Sequence, residues 1–207
     1  MKCPPMRWIA NQPKMKKLGH SIFQIIKYFI QMKTRLSILL IIALALVAFT
    51  VPDNVAKKAH KEMVKFYGTE NFSEEIISVP KDLNDKTISE FGDENLFKIH
   101  SGSKLLGYGY IGNAPSKTAT FDYLVLFDKN FVITTSKVLF YREEYGGEIS
   151  SKRWLKQFEG ASPTSKELVY NRNIIPISGA TISVRSLTTE MNSLLKSIAI
   201  LQKSNIL

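Results

Sequence analysis

The residues of this chain best suited to chemistry stand in one short stretch, Ile177-Ser178-Gly179-Ala180-Thr181-Ile182-Ser183, where three hydroxyls alternate with small and apolar residues directly ahead of an amphipathic run. A helix beginning here directs unpaired backbone N–H groups and a positive dipole end at the turn, the combination that holds a phosphate. Gly179 and Ala180 leave the backbone open, so an anion or a modifying enzyme can approach the Thr181 hydroxyl. The same letters also read as a helix N-cap, the commoner use of Ser and Thr at such a place, and the pattern alone leaves both readings standing. A second cluster, Glu143-Glu144-Tyr145-Gly146-Gly147, is followed by Trp154 and Phe158. By itself it reads as a solvated acidic face and a turn closing a sheet edge, with Trp154 in the core.

The remaining chemistry-bearing residues form no constellation. His20, His60 and His100 fall in three unrelated segments, and Gly107-Tyr108-Gly109-Tyr110-Ile111-Gly112 follows a hairpin with no helix after it, so it is not a dinucleotide loop. Cys3 is the single cysteine, which leaves the rest of the chain without disulfides or thiolate metal sites. Any redox chemistry must come from a cofactor.

The elements that would position these residues are legible from residue 96 onward. Segments 96–100 and 104–111 flank Ser101-Gly102-Ser103, and segments 121–127 and 131–138 flank Asp128-Lys129-Asn130, two hairpins in succession. Trp154, Leu155 and Phe158 predict a short helix over 151–158, and Ile182, Leu187, Met191, Leu194, Leu195 and Ile198 a long one over 182–202. Strands followed by helices indicate an α+β fold, antiparallel β-hairpins packed with short helices. Residues 56–67 read as a charged helix stopped by Gly68 and serving as a stalk, and 73–92 as a loop holding a short strand or helix.

The net charge of +10 belongs mostly to the N-terminus. Eight Lys and Arg and no acid lie in residues 1–52, while the remainder carries 20 bases against 18 acids, which argues against a nucleic-acid surface. Residues 36–52 (LSILLIIALALVAFTVP) form an uncharged run about 25 Å long as a helix, enough to cross a bilayer. With the basic residues ahead of it, the positive-inside rule keeps 1–35 cytoplasmic and exports the chain beyond residue 52. A secretory signal beginning at Met32 is the alternative, although no small-x-small cleavage site comes after the run.

Ser178-Gly179-Ala180-Thr181 resembles the S/T-G-A-T flavinylation motif of the FMN-binding domain family, found in the C subunit of sodium-pumping quinone reductase and the G subunit of Rnf complexes. The resemblance extends over roughly residues 96–198 and takes in the hairpin pair and the Glu143–Gly147 cluster, which is similar to the family's Glu- and Gly-containing loop beside the flavin. Ile175 stands where the family usually has an acid, and the loop lacks the Thr-Pro of the respiratory subunits. The resemblance implies FMN joined covalently through its phosphate to Thr181 by a separate flavin transferase. It further implies cofactor contacts from Ser178, Gly179, Ala180, Glu143, Glu144, Tyr145, Gly146, Gly147 and Trp154. Residues 93–207 would be the FMN-binding domain, 53–92 stalk and linker, 36–52 the transmembrane helix held in membrane lipid and 1–35 the cytoplasmic N-terminus. The implied activity is electron transfer with membrane redox proteins as partners. The competing expectation is a non-enzymatic FMN-binding or protein-interaction module without covalent flavin, in which the small-residue turn only caps a helix.

Overall fold

Val55, Ala59 and Met63 recur every fourth residue, which aligns them on one face of a helix. In the computed structural model, which describes residues 51–207 (Asp93 excepted) together with Lys27, helix α1 spans Asp53–Tyr67 and buries all three. The transmembrane run expected over 36–52 lies outside the described residues except at its end. Among the described residues, no helix is long and apolar enough to cross a membrane.

The helix α1 is no stalk. Its buried face packs with Phe97, Ile99, Ile111, Leu124, Leu126 and Leu139 into one apolar cluster on the sheet, so the compact unit begins well before residue 93. The charged exposed face of α1 hid this in the sequence, because a stripe of only three apolar residues is narrow. Beyond it, β1 (Ser73–Ile76) and the one-turn helix α2 (Lys81–Asn84) lie in the segment that reads as a loop holding a short strand or helix.

Strands β2 (Leu96–Ser101), β3 (Lys104–Pro115), β4 (Thr120–Phe127) and β5 (Ile133–Phe140) complete a five-stranded antiparallel sheet in the order β1-β2-β3-β4-β5. β4 lies near the middle with both faces covered, which explains its nearly unbroken apolar sequence. Tyr123, Val125 and Phe127 join the larger core beneath the last helix, whereas Leu124 and Leu126 face α1. The strand expected at 131 starts two residues later. Asp128 Oδ1 accepts from the amides of Asn130 (2.8 Å) and Val132 (2.9 Å), prolonging the turn, and Phe131 stacks on Tyr108 with ring centres 4.0 Å apart.

After the sheet comes a 3-10 turn (Gly147–Ser150), and over the short helix expected at 151–158 the chain forms the one-turn helix α3 (Lys152–Leu155) continued by a second 3-10 turn (Lys156–Phe158). Helix α4 (Thr181–Lys203) closes the fold, burying Val184, Leu187, Met191, Leu194, Ile198 and Leu201. The architecture is α+β, as the element order predicts.

Candidate functional site

Helix α4 starts where it does because the chain ahead of it is held at several points. Trp154 Nε1 donates to the Ile175 carbonyl (2.8 Å), and the Ile175 amide donates to Gln157 Oε1 (2.7 Å), so both backbone groups of this exposed residue are occupied. Ile177 is buried, and its carbonyl accepts from the Ala180 amide (3.2 Å) across a tight turn. Gly179 holds φ +77 at the third position of that turn, a left-handed conformation that costs a residue with a side chain. Ala180 is the N-cap residue and supplies no side-chain acceptor. Neither Ser178 nor Thr181 caps the helix, so the bland use of these hydroxyls is not the one found. Thr181 is the first helical residue and is exposed, with the positive end of a 23-residue helix behind it.

The Glu143–Gly147 segment comes against this turn. Gly146 has φ +78, and a Cβ placed on it would lie 2.3 Å from the Ala180 Cβ, so the absence of a side chain here lets the two segments touch. Together they wall a cleft of about 300 Å³ lined by Lys117, Tyr141, Glu143, Tyr145 and the residues from Gly179 to Ser183. The Ser183 hydroxyl is buried and lies 3.1 Å from the Tyr141 hydroxyl, joining the helix to the chain just beyond β5. Ser186 donates to the Pro115 carbonyl, which brings the β3–β4 turn and its Lys117 beside the first turns of α4.

Glu143 organises that β3–β4 turn. Its carboxylate accepts from the Ser116 hydroxyl (2.6 Å), the Thr118 amide (2.7 Å), the Thr118 hydroxyl (2.8 Å) and the Ala119 amide (3.2 Å). These donors, the Ser116 hydroxyl foremost, hold its pKa down to about 2 from the ordinary 4.5. A carboxylate so engaged is a fixed acceptor and a poor base. Its folded pKa is depressed, so its stabilising contribution is complete above pH 4.5 and disappears as the pH falls to about 2. The expected result is a Tm difference between wild type and Glu143→Gln that is largest at neutral pH and shrinks through that window. A difference independent of pH would show that the carboxylate is not held this way.

The cluster expected from sequence is thus gathered only in part. Thr181, Ala180, Gly179, Glu143 and Tyr145 line the cleft, and Gly146 shapes it. Trp154 and Ser178 instead line a separate depression with Ile175 and Pro176. Trp154 is buried against Phe158 and acts on the motif through the Ile175 carbonyl, so it is a positioning residue outside the cleft. Glu144 and Gly147 are exposed and line neither. Lys117 and Tyr141 are not singled out by the sequence: Lys117 sits in an ordinary polar turn, and Tyr141 continues a strand pattern.

Close contact at Gly146 makes a second expectation. Gly146→Ala forces a left-handed alanine against a Cβ that cannot rotate away, costing about 1–3 kcal/mol in denaturant unfolding. An unchanged stability would mean the loop is free to retreat from α4.

Compared with known protein families and with curated proteins, this chain matches none.

Proposed function

We propose that this chain is an electron-transfer flavoprotein of the FMN-binding kind, with FMN joined through its phosphate to the Thr181 hydroxyl. The observation that carries this reading is the Thr181 side chain, exposed at the start of a long helix with no side-chain cap, in a cleft that also holds Lys117 and Tyr145. The residues fit a phosphate bearing a flat ring. The helix N-terminus and the Lys117 ammonium oppose the anion's charge, and Gly179 adds no bulk beside it. Tyr145 and Ile182, 73% and 50% exposed, offer apolar surface at the rim for the ring. Glu143 keeps the turn bearing Lys117 in place, its oxygens already occupied by donors.

Bound FMN supplies the capacity to take up and release one or two electrons. No acid/base pair from the protein is required for such a relay. Residues 36–52 would anchor the domain to lipid on the far side of the cytoplasmic membrane, with membrane redox proteins as donor and acceptor and a flavin transferase for maturation. Outside the cytoplasm a covalent tether has a physical advantage, because a lost flavin is not replaced from a pool.

The test is direct. Full-length protein produced with a flavin transferase is expected to show flavin absorption and a peptide containing Thr181 that is heavier by FMN less one water. A colourless protein with Thr181 unmodified overturns the proposal and favours the interaction-module reading.

A further inference from the structure

A second cleft, of about 360 Å³, lies away from Thr181, between the start of α1, the segment from Ile88 to Asn95 and the middle of α4. Its walls divide by chemistry. Val51, Pro52, Val55, Ile88 and Ile111 form an apolar side, and Glu90, Glu190 and Asp122 belong to the acidic side, while among the described residues no Lys or Arg lines it. Asp122 is already committed to Arg142 and to the Asn113 amide group, which leaves Glu90 and Glu190 as the free acids of the cleft. Among the described residues, neither forms an ion pair.

Two further residues of this wall carry an oxygen that has no partner among the described residues. Ser89 is 5% exposed and lines the cleft, yet its hydroxyl oxygen has no hydrogen-bond partner; Asn95 also lines it, with an equally unpartnered Oδ1. Buried oxygens without donors are uncommon in folded proteins and mark places where a ligand or water completes the bonding. The Tyr110 hydroxyl is spent on the Glu90 carbonyl (3.4 Å) and donates nothing to the carboxylates. Asp53, in the first turn of α1, answers the positive end of that helix.

We propose that this cleft binds a small aliphatic ammonium ion, with its alkyl chain on Val55, Ile88 and Ile111 and its charged head between Glu190 and Glu90. An ammonium offers three donors and no acceptor, which matches a wall rich in acceptors and poor in donors. The apolar side selects an amine carrying a short chain over a metal ion, and no group of three or more metal-ligating side chains occurs among the described residues. Burial raises the Glu190 carboxyl above its ordinary range, and a bound cation would reverse that cost. The inference stands independently of any flavin at Thr181.

The experiment titrates the full-length protein with n-pentylamine, n-pentanol and pentanoate, following amide chemical shifts and heat. Pentylamine is expected to bind saturably and shift the amides of Ser89, Gly112 and Glu190. The alcohol and the acid, matched in length, are expected to be weaker by roughly tenfold or more, as is pentylamine with Glu190→Gln. Ser89→Ala, a milder change, should weaken binding less and serves if the glutamine variant fails to fold. Thr181→Ala should leave the titration unchanged, which separates this site from the flavin cleft. Equal binding of amine and alcohol, unaltered binding in both cleft variants, or shifts confined to other surfaces would overturn the proposal.

Discussion

Replacing Thr181 with alanine is expected to abolish covalent flavin completely while leaving the fold intact. A phosphoester survives unfolding, whereas a flavin held by N–H groups and stacking is released once the native geometry is lost. Denatured wild type produced with a flavin transferase should therefore fluoresce on a gel and carry the mass of FMN less one water; Thr181→Ala should do neither. Its stability should change by no more than about 0.5 kcal/mol, because the side chain is exposed and makes no capping bond. Thr181→Ser keeps a nucleophilic hydroxyl and should retain part of the label. Should wild type remain unlabelled and Ile175→Asp acquire label, recognition by the transferase fails at that position. The position is accessible, since Ile175 is 66% exposed and only its backbone is held, by Trp154 and Gln157. Label persisting on Thr181→Ala would place the attachment elsewhere and refute the assignment.

The second large effect concerns the N-terminal boundary. A chain beginning at Val51 is expected to unfold cooperatively, and one beginning at Glu94 to aggregate or remain molten. Removing α1, β1 and α2 takes Val55, Met63, Ile77, Leu83 and Phe91 out of the core. At about 1.5–3 kcal/mol for each large apolar side chain, that loss is comparable to the whole stability of an ordinary domain, about 5–15 kcal/mol. It also bares Phe97, Ile99, Leu124 and Leu126 on one face of the sheet, and β2 becomes an open edge. The Val51 start matters as well, because the Pro52 carbonyl accepts from the amides of Val55 and Ala56 and begins α1. Dye binding and near-ultraviolet circular dichroism on the two chains decide the matter. Equal cooperativity would return α1 to the status of an appendage.

The elements legible in the sequence are those whose causes are local. Ser101-Gly102-Ser103 and Asp128-Lys129-Asn130 turn the chain through their own backbone preferences and short side chains, so both hairpins could be read directly, with β5 displaced by two residues because Asp128 also reaches the Val132 amide. The stripe of Leu187, Met191, Leu194 and Ile198 likewise dictates α4, and the small residues before it dictate an open turn. Which of these pieces meet is a matter of tertiary packing. That α1 lies on the sheet depends on apolar partners in β2, β3, β4 and β5 that no neighbour in sequence reveals. That Gly146 touches Ala180, and that Lys117 arrives beside Thr181, depends on how the chain after β5 and the β3–β4 turn approach one helix end. Trp154 illustrates the division most sharply. Its letter and spacing mark a buried aromatic, but only packing against the segment before α4 makes its indole N–H hold the Ile175 carbonyl instead of facing the cleft. Periodicity and turn chemistry act over a few residues, whereas a cleft is assembled from segments that are distant in the chain and brought together by burial of surfaces they do not share in sequence.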